Sequence, residues 1–369
     1  MLKSGRGAAP DVNVAAAGLL QDMALLQSSE RSRFGYKRAA KMIATGIDRP
    51  VDELVAEGAL REIPFVGPSS ARIVSEFVTT GRSDTVERAL DASTRRADVL
   101  KRRTFRRAYL SRQAMLRALS ARRPRGIVSR AVYKGDLQMH STWSDGVETI
   151  ASLAEAGLAL GYTRLGLTDH SYGLPIARGM SMENARAQGR EIDALNARLS
   201  GRLRVYKGVE ANILADGSLD LDADERRVFE YIVASPHSLL RRDTDQTMRM
   251  INAVRQPGVA ILGHPQGRMY NTRPGVTADW PRVFREAAAR GVAIELDGNW
   301  HRQDIDHELA REALALGCLF ALDSDAHSIG ELPFTDYAIA HARIAGIPAD
   351  RIVNCWEDAR FDAWLADRR

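Results

Sequence analysis

The chain has 369 residues, 45% of them hydrophobic and 27% charged, which bounds it to one large domain plus a small one with ample core. No run approaches the 18 consecutive apolar residues that a membrane-spanning helix requires, which excludes an integral helical membrane protein. Two cysteines, Cys318 and Cys355, exclude a disulfide framework or a zinc knuckle. Together with an N-terminal stretch (MLKSGRGAAPDVN) that lacks a signal-peptide apolar core, they predict a cytoplasmic protein.

Residues 14–90 read as short helices. AAAGLLQDMALLQ, FGYKRAAKMIATG and VDELVAEGALREI each carry apolar residues three and four apart, with glycines at the ends. Next, IPFVGPSSARIVSEFVTTG (63–81) predicts a tight turn bounded by Pro64, Gly67 and Pro68, then a helix capped by Ser69 or Ser70. The turn and following helix resemble a helix-hairpin-helix element, whose hairpin amides and helix N-terminus bind a nucleic-acid phosphate.

The net charge of +5 conceals an asymmetry: residues 1–130 hold 25 Lys and Arg against 13 Asp and Glu, whereas the remainder holds 27 against 34. Most of the excess lies in residues 95–130, where 13 basic residues face Asp98 alone. Phe105, Tyr109, Leu116 and Leu119 recur there at roughly helical spacing, which predicts one basic amphipathic helix ending near Pro124 and Gly126. Such a face is either a solvated surface or a phosphate-backbone contact.

Together, residues 14–90 resemble the small N-terminal DNA-binding domain of family X DNA polymerases. The hairpin departs from that family at Phe65, where it usually has glycine, and a lyase lysine is missing from the helix that carries Arg72 and Ile73. The resemblance implies DNA contacts from Lys37, Val66, Gly67, Ser69 and Arg72. Arg102, Arg103, Arg106 and Arg107 of the basic stretch are expected to join them. The predicted organisation is a helical DNA-binding-like domain over 1–92, a basic helical linker over 93–130 and a catalytic domain over 131–369.

From residue 131 onward strands alternate with helices such as VETIASLAEAGLALG and DHELAREALALG, so an α/β fold with a parallel barrel is expected. Seven strand-like runs can be counted: 135–141, 164–171, 204–210, 231–238, 259–265, 292–298 and 319–327. Neither GxxxxGK[ST] nor a GxGxxG following a strand is present. All eight histidines fall after residue 139, five of them at the ends of these runs.

Strand tips converging at one end of a parallel barrel are where that architecture builds active sites. The candidate metal ligands are His140, Asp145, His170, Glu210, His237, His264, Asp325 and His327, with Gln138 a weaker ninth. Imidazoles mixed with carboxylates suit zinc, manganese or iron, and a set this large suits about two or three divalent ions. Clustered ions of that kind make a nucleophile from water at neutral pH. His307 and His341 read as helical surface residues, and His301 is left open.

The motifs DLQMHSTWSDG (136–146), LTDHS (167–171), GVEANIL (208–214), SPHS (235–238), GHPQGR (263–268) and SDAH (324–327) resemble those of the PHP (polymerase and histidinol phosphatase) superfamily. The likeness spans about 131–340 and is greatest to the PHP domain of bacterial family X polymerases. It implies a distorted seven-stranded (β/α) barrel that hydrolyses phosphate esters at a trinuclear site. His140, Glu210 and Asp325 would hold one ion, Glu210, His237 and His264 a second, and Asp145, His170 and His327 a third. Gln138 stands where the superfamily commonly has histidine, and an amide oxygen ligates these ions more weakly.

Catalytic roles are expected for Glu210, Asp325 and His327, with Arg268 and Arg302 on substrate phosphate. The loop SYGLPIARGMSMEN is expected to cover the site, with Arg178 its one basic side chain. The resulting expectation is a metal-dependent phosphoesterase acting on DNA, as a 3′–5′ exonuclease or end-processing enzyme. A small-molecule phosphomonoesterase of histidinol-phosphatase type and a non-catalytic DNA-binding scaffold are the alternatives. A polymerase palm does not fit in the roughly 40 residues between the two expected domains.

Overall fold

The computed structural model describes residues 11–368, so most of the N-terminal stretch read for a leader lies outside the described residues. The chain divides into two compact units, one through Ser120 that also takes in Tyr270–Arg273, and one comprising the rest from Ala121. The basic stretch up to Ser120 therefore packs with the first unit.

That first unit is helical: α1 (Val12–Leu26), α2 (Glu30–Thr45), α3 (Val51–Ala56), α4 (Pro68–Thr80), α5 (Asp84–Asp91), α6 (Arg96–Arg103) and α7 (Arg112–Ser120). Helix α1 starts where the Asp11 carboxylate accepts from the Asn13 and Val14 amides, and it buries Ala16, Ala17, Leu20, Met23 and Ala24. Buried Asn13 takes the Val51 amide at 2.8 Å and donates to the Arg49 carbonyl, which fixes the start of α3. Helix α4 is not capped by Ser69 or Ser70. Gly67 is its N-cap without a side-chain bond, and Pro68 opens the first turn, where a missing N–H costs nothing.

The expected single basic helix is two, broken between Arg103 and Arg112 by a 3₁₀ turn and by Ala108 at φ 57°. The cause lies in partners far back in the chain: Arg106 donates to the Gly18 carbonyl at 2.7 Å and to Asp22 at 2.6 Å, and the Ser111 amide donates to Asp11 at 2.6 Å. A continuous helix could not aim these groups at α1.

The second unit runs α8 (Ile150–Ala159), β1 (Arg164–Leu167), α9 (Met182–Leu199), β2 (Arg204–Asn212), α10 (Ala223–Arg226), β3 (Tyr231–Ser235), α11 (Thr247–Val254), β4 (Val259–Leu262), α12 (Trp280–Arg290), β5 (Ala293–Asp297), α13 (His307–Ala315), β6 (Leu319–Asp323), α14 (Thr335–Ala345) and α15 (Asp358–Ala366). The six strands form one parallel sheet in chain order. Burial on both faces explains their continuous apolar runs.

Six regular strands are present among the described residues, where seven were expected. The first run, 135–141, is extended but forms no regular ladder. On one side Gly166 and Thr168 donate to the Asp136 and Met139 carbonyls, and on the other Met139 bridges Ala326. Side chains take the remaining ladder positions: the Leu137 amide donates to Asp323, while the Gln138 and Ser324 amides donate to Asp136.

At the N-terminal end of the strands, Phe361, Trp364 and Leu365 of α15 pack with Tyr206, Val233, Ile261 and Ala321. That plug leaves the C-terminal end for chemistry. In between, the Tyr231 side chain crosses two glycines and its hydroxyl donates to the Leu137 carbonyl at 2.5 Å. A Cβ at Gly166 would lie 1.8 Å from the Tyr231 hydroxyl, and one at Gly208 2.6 Å from its ring. Gly166→Ala should therefore destabilise the protein by about 1–3 kcal/mol in urea titration. Adding Tyr231→Phe should cost less than the sum of the two, because the clashing oxygen is gone. Additive losses would disprove the contact.

Candidate metal centre

Every predicted ligand sits at the C-terminal end of the sheet. Glu210 lies within β2, and His170, His237, His264 and Asp325 follow β1, β3, β4 and β6 by two or three residues. His264 (φ 21°) and Asp325 (φ 52°) hold positive φ. Backbone strain at non-glycine residues concentrates where function over-determines the conformation.

Glu210 is fully buried at the centre. Its Oε2 faces His170 Nδ1 at 3.0 Å and His140 Nε2 at 3.5 Å, while its Oε1 faces His264 Nε2 at 2.8 Å and His237 Nε2 at 3.4 Å. One carboxylate thus offers each oxygen to two imidazoles, the arrangement expected of a bridging ligand. Asp325 lies 3.2 Å from His140 Nε2. On the rim, Asp145 Oδ1 is 3.3 Å from His327 and 3.6 Å from His170.

Ligand atoms within 4.8 Å of one another group as His140, Asp145, His170 and His327, as His170, Glu210 and His237, and as His140, Glu210 and Asp325. The last set matches the expected first ion. In the other two, His170 joins Glu210 and His237 where His264 was expected, and His140 joins the rim set.

These residues fit divalent ions on their own chemistry. His140 Nδ1, His170 Nδ1, His237 Nε2 and Glu210 Oε2 are buried without a well-formed hydrogen bond and face only fellow candidate ligands. Such orphans are costly in a folded protein unless something else satisfies them. Protonation states agree. Burial pushes the His170 and His264 imidazoles down to about 3 and about 4, so both are neutral and free to ligate. Burial works against ionising Glu210 and Asp325, yet both stay well below the usual carboxylate range. Hydrogen bonding to imidazoles, His264 Nε2 among them at 2.8 Å, holds Glu210 there, and Arg302 holds Asp325.

Behind the ligands lies a second layer of acids with the opposite tendency. Burial, reinforced by neighbouring carboxylates, pushes Asp136, Glu295 and Asp297 well above the carboxylate range. They also position ligands: Glu295 accepts from the His264 amide at 2.5 Å. Asn212 Oδ1 meets His237 Nδ1 at 2.6 Å and sets which ring nitrogen faces Glu210. Asp169 takes the amides and hydroxyls of Ser141 and Ser144 and so shapes the turn between His140 and Asp145. The sequence reading did not single out Asp169, Asn212, Glu295 or Asp297. Adjacency to a ligand in the chain (as in TDH) was the available signal for Asp169.

The two arginines part company. Arg302 Nε is 3.2 Å from Asp325 and 3.5 Å from Asp297, so its guanidinium belongs to the site. Arg268 is buried and bonded to Asp306 at 2.7 Å and to the Arg302 carbonyl at 3.1 Å, so it braces the loop that carries Arg302. Of the two, Arg302 is the one whose guanidinium faces a candidate ligand. Gln138 is fully buried, and neither end of its amide has a partner.

His307 and His341 are not surface residues. They are buried and stacked, with ring centroids 5.2 Å apart, and His341 Nε2 meets Gln303 Oε1 at 2.7 Å. Helix α14 packs on β5 and β6, which turns that side chain inward. His301 is exposed and its ring lies 4.0 Å from that of Trp300. The loop after His170 is tied back by the Met180 amide, which donates to the His170 carbonyl at 2.8 Å.

In the first unit, Gly67, Ser69, Arg72, Lys37 and Arg107 are exposed. Val66 is buried and its amide already donates to the Ile63 carbonyl at 3.1 Å, so it has no N–H to offer a phosphate. Arg103 and Arg106 are engaged with Asp22, and Arg102 with Asp98.

Imidazoles and carboxylates gathered at the mouth of a parallel sheet define a metal-dependent hydrolase site. No family model matches the chain. It is 36% identical over 233 residues to the DNA polymerase/3′-5′ exonuclease PolX of Bacillus subtilis (strain 168), covering 63% of this chain and 41% of that protein. A probable phosphatase of Thermoanaerobacter sp. (strain X514) is 26% identical over 217 residues, 56% of this chain and 83% of its own length. The chain thus spans less than half of the PolX relative. The solved histidinol phosphate phosphatase of Lactococcus lactis, with zinc, L-histidinol and phosphate, overlaps at a TM-score of 0.41 and 16% identity, covering 57% of this chain and 94% of that one. In its ordered ligand motifs and these sequence relatives, the chain is similar to the PHP phosphoesterases.

Proposed function

We propose that the protein hydrolyses phosphate esters at the ends of DNA strands, as a 3′–5′ exonuclease or end-processing enzyme. The observation that carries the reaction class is the Glu210 carboxylate set among four imidazoles, with Asp325, Asp145 and His327 completing the ligand set. Similarity to PolX, together with a helical unit containing a hairpin before α4, supports DNA as the substrate. In this reading the 135–141 segment stands at the seventh position of a PHP barrel, the hairpin is a helix-hairpin-helix, and the protein works in the cytoplasm.

Zinc, manganese or iron ions would be held by His140, Asp145, His170, Glu210, His237, His264, Asp325 and His327. When bound, such ions supply Lewis acidity and lower the pKa of water toward neutrality. The chain's own contribution is geometric and electrostatic. Glu210 holds the imidazoles in register, and Glu295 fixes the backbone of His264. Arg302, restrained by Asp297 and Asp325, presents a fixed cation toward an anionic substrate.

The probable phosphatase, matched over 83% of its length, favours a second reading in which the substrate is a small phosphate monoester. A chelator should abolish hydrolysis and added manganese or zinc should restore it. With manganese, kcat/KM for 3′-recessed DNA should exceed that for histidinol phosphate by about 100-fold or more. The reverse order would establish the small-molecule reading.

A further inference from the structure

Arg302 stands in a turn that is held from outside the metal centre. Its side chain faces Asp325 and Asp297, while the next residue, Gln303, is fully buried and turned to α14. Gln303 holds φ 45°, a left-handed backbone that disfavours any residue with a Cβ, so the turn needs support from its surroundings. The Gln303 amide supplies that support. Its Nε2 donates to the Trp300 carbonyl at 3.4 Å, and its Oε1 meets His341 Nε2 at 2.7 Å.

The hydrogens of His341 follow from its partners. The His307 amide donates to His341 Nδ1 at 3.1 Å, so Nδ1 is the nitrogen with the lone pair, and Nε2 carries the hydrogen and donates to Gln303. His307 Nδ1 lies 3.1 Å from the same lone pair and donates to it as well. Burial, with His307 and Arg268 nearby, keeps the His341 imidazole well below its ordinary range, so the ring stays neutral and this tautomer persists. His307 is the first residue of α13, and Asp306 before it caps that helix through the Glu308 and Leu309 amides. Asp306 also receives Arg268, whose Nε donates to the Arg302 carbonyl. Arg302 is thus clamped twice, at its own carbonyl by Arg268 and at the next side chain by His341. Both clamps rest on the first turn of α13.

Two carboxylates alone leave a long, flexible side chain several poses, whereas a buried chain of satisfied hydrogen bonds fixes the backbone from which it starts. Apolar residues at 303 and 341 would fill the same space without burying a polar group, and would leave the turn untied. We propose that His341 and Gln303 are positioning residues that set where Arg302 stands at the metal centre. His341 acts through Gln303 and the turn, not through a ligand. This rests on the reading of Arg302 as a fixed cation for an anionic substrate, whichever ester is hydrolysed.

The test compares the full chain, with manganese added, with His341→Leu, His341→Gln, Gln303→Leu and Arg302→Gln. The measurement is the inhibition constant of inorganic phosphate against a chromogenic phosphodiester, alongside metal content and far-UV circular dichroism. His341→Leu and Gln303→Leu should each weaken phosphate by about tenfold and leave bound metal unchanged. His341→Gln keeps an N–H where Nε2 stood, and should hold phosphate affinity within about twofold of the original. Added to Arg302→Gln, His341→Leu should bring no further loss, because the two residues act in series.

Unchanged phosphate inhibition in both leucine variants, with a loss in Arg302→Gln, overturns the clamp and leaves the cation reading standing. Equal losses in His341→Leu and His341→Gln, or a full further loss in the double variant, reduce His341 to a packing role and overturn the proposal too. No effect from Arg302→Gln removes the cation reading itself, and the clamp with it. Should His341→Leu fail to fold, Gln303→Leu carries the same comparison.

Discussion

Glu210→Gln should eliminate hydrolysis, lowering kcat/KM by about 10³-fold or more, and should cost the protein bound metal while leaving its fold intact. The argument is stereochemical. Both oxygens of Glu210 are used, each facing two imidazoles at 2.8–3.5 Å. Glutamine keeps the volume but turns one acceptor into a donor, which points N–H groups at nitrogens that must themselves ligate. It also removes the buried negative charge that offsets the cations of the whole cluster. Asp145→Asn is the informative comparison. Asp145 sits at the rim with its side chain 30% exposed, and it faces His140, His170 and His327 but not the Glu210 centre. Its loss should empty the rim set first and reduce activity by a smaller factor. Metal analysis and far-UV circular dichroism of both variants would check this. Full metal content and activity in Glu210→Gln would mean that the carboxylate is not a bridge.

The gathering of the candidate ligands was legible because it depends on tips of buried strands, and buried parallel strands advertise themselves as short apolar runs. His170, His237, His264 and Asp325 each follow such a run by two or three residues, so local sequence sufficed. What failed was whatever depended on partners far away in the chain. Residues 135–141 have a strand's composition, yet Asp136 and Asp323 supply side-chain acceptors where a ladder would use carbonyls. His341 lies on an alanine-rich helix that looks amphipathic, and only the packing of α14 on β5 and β6 turns it inward. Arg268 and Arg302 were equivalent in sequence, each in a loop after a strand. Asp306 at 2.7 Å claims the first and leaves the second at Asp325. The basic stretch misled for the same reason, since a row of arginines does not state which of them has a buried acid waiting.

That last point makes a quantitative expectation. Asp22→Ala should destabilise the first unit by about 3–5 kcal/mol, the range seen when one partner of a buried ion pair is removed. Asp22 is fully buried and receives Arg103 Nε at 2.7 Å and Arg106 at 2.6 Å, and the Arg106 side chain is itself only 9% exposed. Truncation would strand a guanidinium that cannot reach water. All five tryptophans, at positions 143, 280, 300, 356 and 364, lie in the second unit, whereas the first is helical throughout. Urea unfolding followed at 222 nm should therefore shift to lower denaturant, while tryptophan fluorescence should move less. If Arg103 and Arg106 were instead reserved for DNA phosphates, removing Asp22 would free them, and duplex affinity would rise with little loss of stability. The structure predicts the opposite pattern. Stability should fall, and the salt dependence of duplex binding should stay the same, because arginines bound to an interior carboxylate release no counterions.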